Sequence, residues 1–326
     1  MNILITSAGR RDYIVKYFRK ALKNQGKIIV CNSIPETPAM LEADEAYKVP
    51  PVYEEGYIDV LQRICKTHKI NYIFSLHDLD GPILSKNRLK LEAYGAQLVM
   101  PDPTIINICL DKYKMYQFLK SHHVLSPPTW LSPAEFFKEE EKNYPVMIKP
   151  RSGFGSLDIL EAWSDEEVRS LYKYLATHQD QKVLKYLGFN AGESTVIIQK
   201  YLQGTEYGLG VVNTIEGEYA GSFVLKKIRM RAGETDAAVT TKDPAIENLG
   251  KTLSHLIHNR GLMDCDIIKV DNEIYVLELN PRFGGQYPFF HQAGANVPAF
   301  LIGPAKKLKF PAINKKFTKK ISMMSY

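Results

Sequence analysis

Short apolar runs and helical spacings alternate through the first third of this sequence. Ile3-Leu4-Ile5 is closed by Thr6, and comparable runs return at 27–31, 72–76 and 97–100. Between them the apolar positions fall three and four apart: Ile14, Tyr17, Phe18, Ala21 and Leu22, then Ile58, Leu61, Ile64 and Cys65, then a stretch from 83 to 93. A short apolar run bounded by turn residues reads as a strand buried on both faces, and the 3.6-residue spacing as a helix packed on one face. Such alternation predicts a parallel sheet covered by helices, with ligands at the carboxyl ends of its strands, here the loops 7–11 and His77-Asp78. The first of these loops holds only Gly9 where a dinucleotide-binding turn needs three glycines, which argues against a nicotinamide cofactor.

Pro101-Asp102-Pro103 interrupts the alternation. Beyond it the spacing predicts helices at 104–110 and 112–121, with Asp111 as the cap between them, and a second break at Ser126-Pro127-Pro128. A strand at 144–150 carries Lys149 near its end and runs into the glycine-containing loop Arg151-Ser152-Gly153-Phe154-Gly155-Ser156. A helix follows at 166–176, and 177–194 has no readable period. Strands are then expected at 195–202 and 207–213, the latter in a hairpin with 219–231 about Glu216-Gly217. Arg229, Arg231 and Glu234 crowd a polar loop around Gly233 that runs on to Pro244. A helix at 245–259 leads to a final hairpin, 263–270 and 274–280, turning at Asp271-Asn272.

That last hairpin carries the most suggestive chemistry. Alternation along Tyr275-Val276-Leu277-Glu278-Leu279-Asn280 puts Val276, Glu278 and Asn280 on one face and the apolar Tyr275, Leu277 and Leu279 on the other. Pro281 favours the end of the strand and Gly284-Gly285 frees the backbone behind it, so Arg282 is presented beside two oxygen ligands. Asp266 on the neighbouring strand supplies a third oxygen. Carboxylate and amide oxygens suit a hard divalent ion such as Mg²⁺, completed by water and substrate phosphates. Lys149 followed by a glycine loop is what phosphate oxygens require: a point charge and closely approaching backbone amides. Each signal also has a plain reading, as an outward strand face or a glycine turn. His77 and Asp78 suit a substrate-pocket loop, since no nucleophile is paired with them.

Composition adds exclusions. At 45% hydrophobic and 24% charged residues the 326-residue chain is of ordinary globular type and long enough for two domains or one large domain with lobes. The net charge of +6 is a property of residues 301–326, which carry seven lysines and no acid; the remainder is near neutral, so no nucleic-acid partner is expected. No run reaches membrane-spanning length and the N-terminus lacks the pattern of a signal peptide, which predicts a cytoplasmic protein without membrane partners. Cys31, Cys65, Cys109 and Cys265 are widely separated, as reduced core thiols would be.

The order of these elements resembles the ATP-grasp superfamily, and the N-terminal α/β region with Asn-Pro-Arg-Phe-Gly-Gly and Gly-Ala-Asn-Val-Pro is similar to its carbamoyl-phosphate-synthase-like, carboxylate–amine ligase branch. The resemblance implies an α/β and α+β chain. A parallel-sheet, Rossmann-like pre-ATP-grasp domain (1–110) would be followed by a small lobe with a phosphate loop (111–194) and a large lobe with the metal site and basic tail (195–326). It also implies ATP with Mg²⁺, or Mn²⁺, as cofactors. Lys112 and Lys149 would contact phosphates under a loop holding Gly153, Gly155 and Ser156. Gln199, Lys200, Tyr201 and Leu202 would lie beside adenine, and Glu206 would take the ribose. Asp266, Glu278 and Asn280 would bind the metal, and Arg282, Lys149 and Asn280 would serve catalysis. Asp266 departs from the Glu or Gln frequent in the family, and Leu157-Asp158 from its small residues. Arg229, Arg231, Glu234, Arg10, His77 and Asp78 are the substrate candidates. The expected reaction joins a small-molecule carboxylate to an amine or other nucleophile through an acyl phosphate, releasing ADP and phosphate. The alternatives are a kinase on the same scaffold and a nucleotide-binding regulatory protein without catalysis. Oligomeric state is open, and a homodimer is one arrangement the sequence allows.

Overall fold

The computed structural model describes residues 1–153, 158–231, 233–303 and 307–318. Its first sheet contains β1 (Asn2–Thr6), β2 (Ile28–Asn32), β3 (Glu45–Lys48), β4 (Ile70–Ser75) and β5 (Gln97–Leu98), all parallel in the order β3-β2-β1-β4-β5. β1 is central and buried on both faces. Ile3 and Ile5 enter one hydrophobic core while Leu4 enters the other, which is why this strand is written almost entirely in apolar residues. β3 escapes the sequence reading because it is an edge strand with alternate residues exposed, so it contains no apolar run. The helix expected over 83–93 divides at Asn87 into Asp80–Lys86 and Arg88–Glu92.

A four-stranded antiparallel sheet follows, built from β6 (Thr129–Trp130), β7 (Val146–Pro150), β8 (Leu160–Ala162) and β9 (Val196–Lys200) in the order β6-β9-β7-β8. The helix Asp165–His178 covers it through Val168 and Leu175. β9, which a lobe boundary at 194/195 assigns to the large lobe, is hydrogen-bonded inside this smaller sheet. The segment without a readable period contains a short helix, Gln181–Tyr186, capped by Asp180. Its Tyr186 hydroxyl donates to the Leu79 carbonyl at 2.6 Å, tying this lobe to the first domain.

The third sheet has β10 (Thr205–Asn213), β11 (Tyr219–Arg231), β12 (Glu234–Thr241), β13 (Leu262–Val270), β14 (Glu273–Asn280) and β15 (Lys316–Thr318) in the order β14-β13-β10-β11-β12-β15. Two of these strands correct the sequence reading. Residues 234–241 form a strand and not a polar loop, because pairing with β11 overrides the weak strand propensity of Asp236, Ala237 and Ala238. Residues 316–318 of the basic tail add to the sheet edge beside β12, with Phe317 packed against the core. The helix Pro244–Ile257, capped by Asp243, buries Ile246, Leu253 and Ile257 with residues of β10 and β11. Helices Tyr287–Gln292 and Val297–Ile302 return to the first domain, so Phe290 and Leu301 share a core with Ile3 and Phe18. All four cysteines are free and buried, as expected. Among the described residues no helix is long and apolar enough to cross a membrane.

Gly204 makes the passage from the small sheet to the large one, and a Cβ there would lie 2.4 Å from the backbone oxygen of Lys269. Backbone cannot yield as a side-chain tip does. Replacing Gly204 by Ala is therefore expected to lower the thermal midpoint by a few degrees, read in a thermal melt; an unchanged midpoint would contradict this close approach.

Candidate active site

A cleft of about 340 Å³ opens between the two antiparallel sheets. Its floor comes from β13 and β14, which are paired so that Asp266 faces Glu278 and Asp264 faces Asn280. A bulge beside Asp266 breaks the simple alternation expected here. Val276 and Leu279 both enter the core, while Leu277 and Glu278 both line the cleft, so Val276 does not share a face with Glu278. Gly208 on β10 faces Asp266, and a Cβ at that position would lie 1.4 Å from the Gln286 Oε1. The missing side chain makes room for Gln286, whose Nε2 donates to Asp266 Oδ1 at 2.7 Å.

Besides Lys200 at its rim, three lysines reach into the cleft from three elements. Lys112, at the start of the helix Lys112–Ser121, donates to the Gly153 carbonyl at 3.0 Å and lies 3.4 Å from Glu278. Lys149 on β7 donates to Gln199 Oε1 at 2.6 Å, and Gln199 Nε2 in turn donates to Thr129 at 2.9 Å. Burial, reinforced by Lys112, pulls the Lys149 pKa down to about 7. Lys227 on β11 lies 2.6 Å from Asp266 and 3.4 Å from Glu206; burial works against its charge, but Asp266 more than reverses this and its pKa rises. Lys200, Tyr201, Leu202 and Glu206 form the rim. Asp111 and Arg151 hold this geometry behind the cleft: Arg151 Nε lies 2.9 and 3.0 Å from the two carboxylate oxygens, and Asp111 also caps the helix that presents Lys112.

A smaller, neighbouring cavity of about 20 Å³ shares Gly153 and Glu278 with the cleft and adds Ser75, His77, Asp78, Asn280 and Arg282. Arg282 grips Asp78 with two hydrogen bonds, Nε to Oδ1 at 2.7 Å and Nη2 to Oδ2 at 2.5 Å. Burial opposes the Arg282 charge, but Asp78 outweighs it and the pKa is raised. For Asp78 burial pushes upward and Arg282 prevails, holding the carboxylate below its ordinary range. Thr6, Ser7 and Ser75 donate to Asp80 at 2.5, 2.8 and 2.8 Å, binding the two loops of the first sheet together. Burial nonetheless leaves the Asp80 pKa raised, and lowers that of His77. Asp264 is also buried, with its pKa pushed up to about 7 by desolvation and by Asp266.

Most of the residues singled out from the sequence meet here: Lys112, Lys149, Gly153, Gln199, Lys200, Tyr201, Leu202, Glu206, Asp266 and Glu278 in the cleft, with His77, Asp78, Asn280 and Arg282 alongside. Gly155 and Ser156 lie outside the described residues. Arg229 and Arg231 do not line the cleft; the register of β11 shifts on either side of Arg229, so that Met230 joins Lys227 at the cleft and both arginines lie against Asp236, at 2.7 and 3.5 Å. Glu234, the register partner of Arg231, is exposed. Neither Arg10 nor Arg11 lines the two cavities; Arg10 is exposed, whereas Arg11 turns inward to the Leu76 carbonyl. Lys227, Gln286 and Arg11 carry no motif signal and emerge only from the sheet geometry. The donor set fits Mg²⁺ or Mn²⁺ in being made of carboxylate and amide oxygens alone; among the described residues no three His, Cys, Asp or Glu side chains form a cluster that could hold a metal. Asp266, Glu278 and the Asn280 amide would thus leave coordination positions for water and phosphate.

Residues 109–286, more than half of the chain, match the ATP-grasp domain. The chain belongs to the ATP-grasp family. Residues 3–99 match the PylC-like N-terminal domain, so the parallel sheet belongs to the same arrangement. This ATP-grasp chain is 26% identical over 295 residues to the carbamoyl phosphate synthase large chain of Thermomicrobium roseum, covering 85% of itself but only 26% of that protein. It is 26% identical over 248 residues to the D-alanine–D-alanine ligase of Thermotoga maritima, covering 70% of itself and 76% of the ligase. Among solved structures, an ATP complex of biotin carboxylase from Campylobacter jejuni superposes with a TM-score of 0.71 at 17% identity, over 97% of this chain and 74% of that one, a likeness of fold.

Lys149 yields a pH prediction. In the unfolded chain its amine keeps a proton to about 10.5, in the folded protein only to about 7. Between those values the unfolded state binds more protons, so this residue makes stability rise with pH; below about 7 the burial penalty is present in full. The thermal-midpoint advantage of Lys149→Met over the parent should therefore be greatest below about pH 7 and shrink as pH rises. Parallel melts across that range check it, and a pH-independent difference would refute it.

Proposed function

We propose that this chain is an ATP- and Mg²⁺-dependent ligase that joins a carboxylate to an amine through an acyl phosphate, releasing ADP and phosphate. The observation that carries the reading is the convergence of Lys112, Lys149 and Lys227 with Asp266, Glu278, Asn280 and Arg282 on two adjoining cavities. A carboxylate is a poor electrophile, and its negative charge repels the phosphoryl group that would activate it. Cations fixed in advance offset that repulsion.

Roles follow from position. Lys112, from the start of its helix, and Lys149, from β7, neutralise phosphate oxygens. Gln199 orients Lys149 through their 2.6 Å hydrogen bond, and Glu206 at the rim is placed for ribose hydroxyls. Asp266, Glu278 and Asn280 hold the divalent ion, which when bound supplies further charge neutralisation at the phosphates. Arg282, kept charged by Asp78, lines the smaller cavity with Asn280, beside the Glu278 that both cavities share, where phosphoryl and carboxylate oxygens would meet. The carboxylate and amine enter from the first domain, past His77 and Asp78. The enclosed geometry serves to keep water from the acyl phosphate.

With a carboxylate labelled by oxygen-18, label should appear in the phosphate released during turnover; ADP formation without transfer of label would exclude an acyl phosphate. Glu278→Ala and Asn280→Ala should each reduce Mg²⁺-dependent ADP formation by about 100-fold or more while leaving the thermal melt cooperative. Full turnover in either variant would remove these residues from the metal site.

A further inference from the structure

Arg11 presents guanidinium donors that no carboxylate meets directly among the described residues. It leaves the turn after β1 half-buried, and only its Nη1 is engaged, by the carbonyls of Leu76 and, at 3.5 Å, Phe283. Among the described residues no carboxylate forms an ion pair with it, and its other guanidinium nitrogens make no hydrogen bond. Taking a guanidinium partly out of water without a counter-charge is costly, so such a group is usually found where an anion arrives. The setting supports that reading. Arg11 follows the central strand β1 and Asp78 follows its neighbour β4, and the strand order reverses between these two strands; this switch point is where open parallel sheets take ligands.

Arg282 approaches the same spot from the large lobe, and its Nη1 lies 3.4 Å from the Phe283 carbonyl that Arg11 also meets. Two guanidinium groups thus converge on one oxygen. Asp78 uses Nε and Nη2 of Arg282, so those two donors are taken, while the remaining donors of both guanidinium groups are bonded only to backbone carbonyls or to nothing among the described residues. Phe283 cannot easily withdraw, since its ring packs edge-on against Phe18 at 5.6 Å and Tyr287 at 4.9 Å. The receptor is accordingly built before any ligand enters.

We propose that Arg11, with Arg282, forms a carboxylate-binding subsite in the switch-point crevice, so that a small molecule anchored by a carboxylate is recognised there. The carboxylate belongs either to the acid that is activated or to an amino acid serving as the amine. The assignment to a substrate rests on the ligase reading; the anion site itself does not.

The test is calorimetric titration of the full chain, held with Mg²⁺ and a non-hydrolysable ATP analogue, against the L-amino acids and short mono- and dicarboxylic acids. Each binder is repeated as its amide. Expected are loss of binding for the amide, a 10- to 100-fold weaker Kd in Arg11→Gln, on the order of one lost charge-assisted hydrogen-bonded contact, partial recovery in Arg11→Lys, and parent affinity in Arg10→Gln. Affinity for the ATP analogue should be unchanged in all, which shows that the variants are folded. Equal binding of acid and amide, parent affinity in Arg11→Gln, or no binder in the whole panel would overturn the proposal. ADP formation then separates the sources: oxygen-18 passing from the binder to phosphate marks it as the activated acid, and turnover only with a second carboxylate marks it as the amine. Binding with these properties but without any ADP formation would leave the subsite standing and remove the ligase reading alone.

Discussion

Asp266 and Glu278 face each other because the turn at Asp271-Asn272 holds β13 and β14 in one antiparallel register. A slip of one residue would send every side chain of a strand to the opposite face, taking Glu278 and Asn280 out of the site and driving Leu279 into it. Asp271 takes a left-handed φ of 51°, which an Asp tolerates better than most residues. The bulge beside Asp266 then releases Leu277 from pairing and turns the parity of the strand, so that the core keeps Val276 and Leu279 while Leu277 and Glu278 look into the cleft.

Around this floor the charges are arranged in neutralising pairs rather than left bare. Lys112 leans on Glu278, Lys227 on Asp266 and Glu206, and Arg282 on Asp78. Lys149 is different: it is buried, bonded to the neutral Gln199, and close enough to Lys112 that its amine loses much of its affinity for a proton. Buried charges persist only when something compensates them. The arrangement therefore holds its cations in position through internal partners that phosphates and a divalent ion can replace.

Much of this was legible in the sequence. The buried parallel strands declared themselves as apolar runs, and Glu278 and Asn280 of the last hairpin as oxygen-bearing side chains two residues apart. Asp111 was readable as a cap because its side chain must satisfy the amides of Tyr113 and Lys114. What was not legible depended on partners distant in sequence. β3 and β15 are edge strands, specified by a neighbour more than by their own pattern. That Arg229 and Arg231 lie against Asp236 was not readable, because nothing local says that Asp236 returns across the hairpin to meet them. The difference between Arg10 and Arg11 was hidden for a related reason. Which of two adjacent arginines turns inward is decided by the carbonyls of Leu76 and Phe283, contributed by two other parts of the chain. Likewise the bulge could not be read from an alternation that continues unbroken in letters.

The Tyr186 hydroxyl on the Leu79 carbonyl links the small lobe to the very loop that bears His77 and Asp78. A swing of that lobe away from the first domain must break this hydrogen bond, so the placing of the small lobe and that of the His77-Asp78 loop are mechanically tied.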